Sequence, residues 1–165
     1  MNRLITLWSL AIKLGKVTIA ALLLLFANQA AYADTLESHI AKTCKRGCVD
    51  SNTLLNATVN QAEELKIDFK LLLAVITVES GFILMAKNKG NAGLMQVLVS
   101  VHKHKFKTNV FDPNENIRVG ASILKECTVR HRSIPSSLRC YNGGGDKKYP
   151  SKVLKALAQV RSIQF

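Results

Sequence analysis

The chain has 165 residues and is 48% hydrophobic, with 23 Lys and Arg against 11 Asp and Glu and a formal charge of +12. That length is enough for one domain with a modest core and too short for two. The excess of basic charge predicts an anionic partner, a polymer or a surface.

Arg3, Lys13 and Lys16 form a positive N-terminal region, Val17 to Ala27 is apolar, and Ala31-Tyr32-Ala33 is an A-x-A cleavage site before Asp34. Residues 1–33 therefore read as a signal peptide. The uncharged stretch is shorter than the roughly 20 apolar residues of a membrane span. Cys44, the first cysteine, lies too far from it for lipid attachment. The mature chain, 34–165, keeps 20 of the 23 basic residues and all 11 acidic ones, a formal +9. A periplasmic or secreted protein this basic is expected to meet cell wall or membrane rather than nucleic acid. The run His102-Lys103-His104-Lys105-Phe106-Lys107 concentrates the charge, most simply as a solvated helix end or loop.

All four cysteines, Cys44, Cys48, Cys127 and Cys140, would enter an oxidising compartment. Cys127 and Cys140 flank a turn containing Ile134-Pro135, so an antiparallel helix pair could bridge them. Cys44 and Cys48, at i and i+4, are less comfortable partners despite Gly47 between them. A metal site built on Cys127, His131 and Cys140, or on His102 and His104, matches no standard zinc spacing, so neither metal nor cofactor is expected.

The mature chain reads as mainly α. Leu54, Leu55, Ala57, Val59 and Ala62 recur at helical spacing over 52–65. Asp68 is the N-cap of an almost continuously apolar helix, Phe69 to Glu79, which should be the buried centre of the domain. Leu72, Val75 and Glu79 share its stripe, so the carboxyl group projects from the face that packs into the core. Burial disfavours the charged form, and a Glu placed there should hold its proton near neutral pH. A Lys- and Asn-rich loop follows from Gly81, and a short helix is expected to begin around Gly93. Asp112-Pro113 opens a helix through Ile117, Val119, Ala121, Ile123 and Leu124. Ser136-Ser137 is expected to cap a helix that passes through Cys140 and ends at Gly143-Gly144-Gly145. An amphipathic helix over 150–160 closes the chain, and no stretch alternates as a convincing strand.

Four ordered blocks resemble a known family: Glu79-Ser80-x-Phe82, Gly93-Leu94-Met95-Gln96-Val97, Asp112-Pro113-x-x-Asn116-Ile117-x-x-Gly120, and Tyr141-Asn142 with its glycines. Over about residues 60–160 the chain is similar to the soluble lytic transglycosylase catalytic domain, in particular to small specialised types that accompany secretion, conjugation or pilus systems. The resemblance implies a lysozyme-like fold and a monomer acting on peptidoglycan glycan strands. It implies Glu79 as the catalytic acid/base, with Ser80, Met95, Gln96, Tyr141 and Asn142 lining the saccharide cleft. The block from Asp112 to Gly120 would be structural. Leu84 and Asn88 stand where the family usually has Pro and Ser, Leu98 to Val101 replace its Pro-x-Thr, and Cys140 replaces Ala before the Tyr.

An ordinary glycoside hydrolase uses two carboxyl groups. No Asp or Glu lies between Glu79 and Asp112. The family's reaction needs one: the Glu protonates the oxygen between N-acetylmuramic acid and N-acetylglucosamine, then deprotonates the muramoyl C6 hydroxyl to leave a 1,6-anhydro ring. A lysozyme-like hydrolase would need Asp112 or Glu115 to reach the cleft and activate water. A wall-binding protein without activity would have no need of Glu79.

Overall fold

A computed structural model describes residues 36–163, so the expected signal peptide, residues 1–33, lies outside the described residues. Among the described residues the protein is mainly α, with one small antiparallel sheet. Helical residues 36–43 (α1) lead to Cys44, which is bridged to Cys48 with Cα atoms 5.8 Å apart. Helical spacing does not govern this pair as the sequence suggested. α1 ends before Cys44, and Gly47, at φ 67°, turns the chain back on itself.

α2 (Ser51–Leu65) is capped by Asp50, whose carboxylate accepts from the Thr53 amide at 2.8 Å. Lys66, in the left-handed conformation, ends it. α3 (Phe69–Glu79) starts at its expected cap, Asp68. Leu72 to Ile76 are wholly inaccessible on every face, because the last helix of the described residues, Tyr149–Arg161, packs along one side of α3 and α2 along another. Five consecutive buried apolar residues explain why α3 is central and why its end is fixed in place.

Three two-residue strands follow: β1 (Lys87–Asn88), β2 (Asn91–Ala92) and β3 (Val97–Leu98), in antiparallel order β1-β2-β3. The helix expected near Gly93 is instead a tight turn between β2 and β3, and α4 (Val99–His102) begins six residues later. Gly93, at φ 78°, and Gln96, at φ 45°, both occupy left-handed backbone that a helix start could not contain. A 3-10 turn (Lys103–Lys105) carries part of the basic run.

α5 (Pro113–Arg130) opens as the sequence predicts, with Asp112 accepting from the Glu115 amide and Pro113 in the first turn. α6 (Ile134–Tyr141) is capped by Ser133 rather than by the Ser136-Ser137 pair, and Pro135 lies inside its first turn. A disulfide joins Cys127 of α5 to Cys140 of α6, with Cα atoms 5.8 Å apart. Gly143 and Gly144, at φ 65° and 76°, end α6. α7 (Tyr149–Arg161) begins one residue before Pro150 and packs on both α3 and α6.

Asn116 ties α5 to the sheet. Its side chain is fully buried, accepts from the Met95 amide at 2.8 Å and donates to the carbonyls of Ala92 (3.0 Å) and Val110 (2.8 Å). A Cβ at Gly93 would run into this carboxamide, and one at Gly120 would lie 2.6 Å from the Met95 Sδ. Both glycines are therefore required by close approach. Replacing Asn116 by Ala strands one buried amide and two carbonyls, each worth about 1 kcal/mol or more. Asn116→Ala should lose roughly 3 kcal/mol in urea unfolding, and a loss below about 1 kcal/mol would show that water or neighbouring groups replace these bonds.

Candidate active site

Glu79 is the last residue of α3, and its half-buried side chain opens into a cleft of about 670 Å³. Tyr149, at the first position of α7, donates its hydroxyl proton to Glu79 Oε1 at 2.6 Å. Burial pushes the Glu79 carboxyl up from its ordinary 4.5 to about 7, against the opposing effect of the Tyr149 hydrogen bond. The negative end of the α3 dipole works with burial, since it too disfavours a carboxylate. Glu79 is therefore partly protonated near neutral pH. One oxygen is held by Tyr149, and the other is left to carry a proton.

Tyr149 is buried and stacks on Tyr141, with ring centroids 6.5 Å apart and planes 24° from parallel. Burial, and then the nearby Glu79 charge, raise the pKa of both phenols, so both stay neutral donors. Tyr141 donates to the Met95 carbonyl at 2.8 Å. The Met95 amide is in turn held by Asn116, so the path from α5 through the β2–β3 turn to the tyrosine pair is continuous.

Gln96, Tyr141 and Asn142 line the cleft with Glu79. Gln96 donates through Nε2 to the carbonyls of Ala86 (3.1 Å) and Gly93 (2.9 Å), leaving its carboxamide oxygen as an acceptor. Asn142 Oδ1 accepts from the Asp146 amide at 2.9 Å, which leaves its amino group available. Ser80 and Met95 are corrections to the expected cleft lining. Ser80 is buried, donating to the Ile76 carbonyl and accepting from the Phe82 amide, and so fixes the turn after α3. Met95 is wholly buried against Gly120, and it serves the site through its backbone.

Asp112 and Glu115 are not among the cleft-lining residues. Asp112 is occupied as the cap of α5. Glu115 is gripped by Arg118 and by the Lys107 amide, contacts that hold its pKa well below the usual carboxylate range. The other carboxylate at the cleft is Glu126, which is paired with Lys105 at 2.6 Å.

Tyr149 is the residue that the sequence reading missed. Its signal was present: Tyr149, Val153, Ala156 and Val160 lie on one helical stripe and are all buried. Starting the helix at Pro150 left the tyrosine outside that stripe.

A model of the transglycosylase SLT domain matches residues 57–161, a span that contains Glu79, Gln96, Tyr141 and Tyr149. The chain belongs to this family. The SLT domain has a lysozyme-like, mainly α fold, in agreement with the helices described above. The chain is also 33% identical over 101 residues to a protein of Enterobacteria phage PRD1 named "Transglycosylase", covering 56% of this chain and 38% of the phage protein. It therefore spans well under half the length of that curated relative. No solved structure matches the chain.

The Tyr149 bond stabilises the charged form of Glu79, so its removal should raise the carboxyl pKa further. In Tyr149→Phe, the Glu79 side-chain carbon resonance should titrate at higher pH than in the parent. A midpoint unchanged or lower would show that the phenol does not set the charge of this acid.

Proposed function

We propose that this protein is a peptidoglycan lytic transglycosylase in which Glu79 acts first as acid and then as base. The observation that carries the reading is a carboxyl group poised near neutrality in a cleft of the SLT domain, with one oxygen already held by a neutral phenol. Protonated Glu79 gives its proton to the oxygen linking N-acetylmuramic acid to N-acetylglucosamine as the bond to the muramoyl C1 breaks. The muramoyl C6 hydroxyl then closes on C1 and returns its proton to Glu79. The ring is 1,6-anhydro, no water is consumed, and the acid is restored. Intramolecular attack gains from proximity, so one carboxyl group suffices.

Gln96, Tyr141 and Asn142 provide the hydrogen-bonding edge along which a sugar would lie beside Glu79. We place the protein outside the cytoplasm, with residues 1–33 as the export signal. Two disulfides among the described residues support an oxidising compartment. Local gaps of the kind that secretion, conjugation or pilus systems need are the use this reading gives to such an activity. Hydrolysis is the second reading, and Glu126 in the same cleft is the observation that favours it. Its oxygen is engaged by Lys105, however, which leaves it poorly placed to take a proton from water.

Digestion of purified peptidoglycan in heavy-oxygen water separates the two. The account predicts muropeptides ending in 1,6-anhydromuramic acid, each lighter by one water than the hydrolytic product and free of label. Glu79→Gln should reduce product formation by orders of magnitude while the protein stays folded. Label at the new muramic acid end, abolished by Glu126→Gln, would establish hydrolysis instead.

A further inference from the structure

The cleft holds more positive charge than the reaction uses. Lys89 and Arg130 both line it, come from separate elements, have exposed side chains, and take part in no ion pair among the described residues. The two carboxyl groups in the lining do not balance them, since Glu79 is partly protonated near neutral pH and Glu126 is paired with Lys105. Sugar hydroxyl and acetamido groups need only neutral partners, which Asn91, Gln96, Tyr141 and Asn142 already provide.

The backbone at Lys89 is a second, independent observation. β1 and β2 pair as Asn88 with Asn91, so Lys89 and Gly90 form a two-residue hairpin turn. Both have positive φ, 48° and 87°. Such a turn prefers Asn, Asp or Gly at its first position, because positive φ presses a Cβ against the backbone, a strain that Gly lacks and that the short polar side chains of Asn and Asp offset by local hydrogen bonds. A lysine in that place works against the local fold, and strain of this kind is characteristic of positions kept for function. Arg130 alone would be weaker evidence, because a basic residue in the last turn of α5 also complements the helix dipole.

We propose that Lys89 and Arg130 recognise carboxylates of the substrate and give the enzyme its preference for acidic muramic-acid-containing strands over neutral glycan. The proposal rests on the transglycosylase reading. Muramic acid bears a lactyl group that is either a free carboxylate or amide-linked to a peptide stem with carboxylates of its own. Either source offers an anion to a cation at the cleft edge, and Arg can hold it with two hydrogen bonds.

The test measures binding in a Glu79→Gln background, which prevents turnover. Calorimetry compares three oligomers of equal length: neutral chito-oligosaccharide, peptide-free peptidoglycan with free lactyl groups, and peptide-bearing peptidoglycan. The background protein should prefer the acidic oligomers, and added salt should erode that preference. Combining Lys89→Asn with Arg130→Gln should reduce the acidic-to-neutral affinity ratio by about five- to tenfold, as expected for two exposed charge contacts. Loss confined to the peptide-bearing oligomer assigns the contact to the stem carboxylates, loss confined to the peptide-free oligomer assigns it to the free lactyl carboxylate, and loss on both shows that the pair accepts either anion. Lys89→Asn alone should be at least as thermally stable as the background, since Asn suits the turn, so a lower ratio there cannot come from unfolding. An unchanged ratio, an equal loss on all three oligomers, or no initial preference would overturn the proposal. Cleavage of peptidoglycan by the unaltered protein is assayed alongside; its absence would refute the transglycosylase reading whatever the binding data show.

Discussion

The site depends on one contact, the hydrogen bond from Tyr149 to a carboxyl group fixed at the buried end of α3. Burial and the helix terminus push the proton onto Glu79, while the phenol limits how far they succeed. Without burial the group would be an ordinary carboxylate at pH 7, unable to serve as an acid. Without the phenol it would hold its proton more tightly and make a weaker acid. The arrangement has a consequence for stability. The folded-state pKa of about 7 lies above the ordinary 4.5, so folding takes up a proton between those values. Stability from this group is fully present below about 4.5 and is lost as pH rises through 7.

Much of the remaining structure holds that contact in place. α7 brings Tyr149 to α3 from 70 residues away and covers the same helix whose end carries Glu79. Tyr141 stacks beside it and is anchored to the Met95 carbonyl, which Asn116 positions from α5. The Cys127–Cys140 bridge joins α5 and α6 one residue before Tyr141 and itself lines the cleft. No residue of the block from Asp112 to Gly120 lines the cleft. Asp112 starts the helix, Asn116 holds the turn, and Gly120 makes room for Met95.

What could be read from the sequence follows the range of the interactions. Glu79 was legible because its evidence is local: an apolar helix, a cap at Asp68, and a carboxyl group on the core-facing stripe. The helical architecture and the Asp112 cap were legible for the same reason. Ser80 and Met95 were assigned to the cleft by resemblance, but a pattern of residue types does not distinguish a side chain that meets the ligand from one that shapes the turn beneath it. The left-handed backbone at Gln96 replaces an expected helix with a turn, and its stabilising partners, Ala86 and Gly93, are fixed only once the sheet has formed. Cys44 and Cys48 looked poorly spaced because the end of α1 could not be seen. Tyr149 was lost to a helix boundary placed one residue late, an error the buried stripe corrects.

The most direct measurement of the central claim is the pH dependence of kcat/KM for formation of 1,6-anhydromuramoyl products by the unaltered protein. If protonated Glu79 is the acid, the rate should fall about tenfold per pH unit above a midpoint near 7, the value that burial gives this group. A rate that stays level to pH 9, or that already declines through the ordinary carboxylate range near 4.5, would contradict the account.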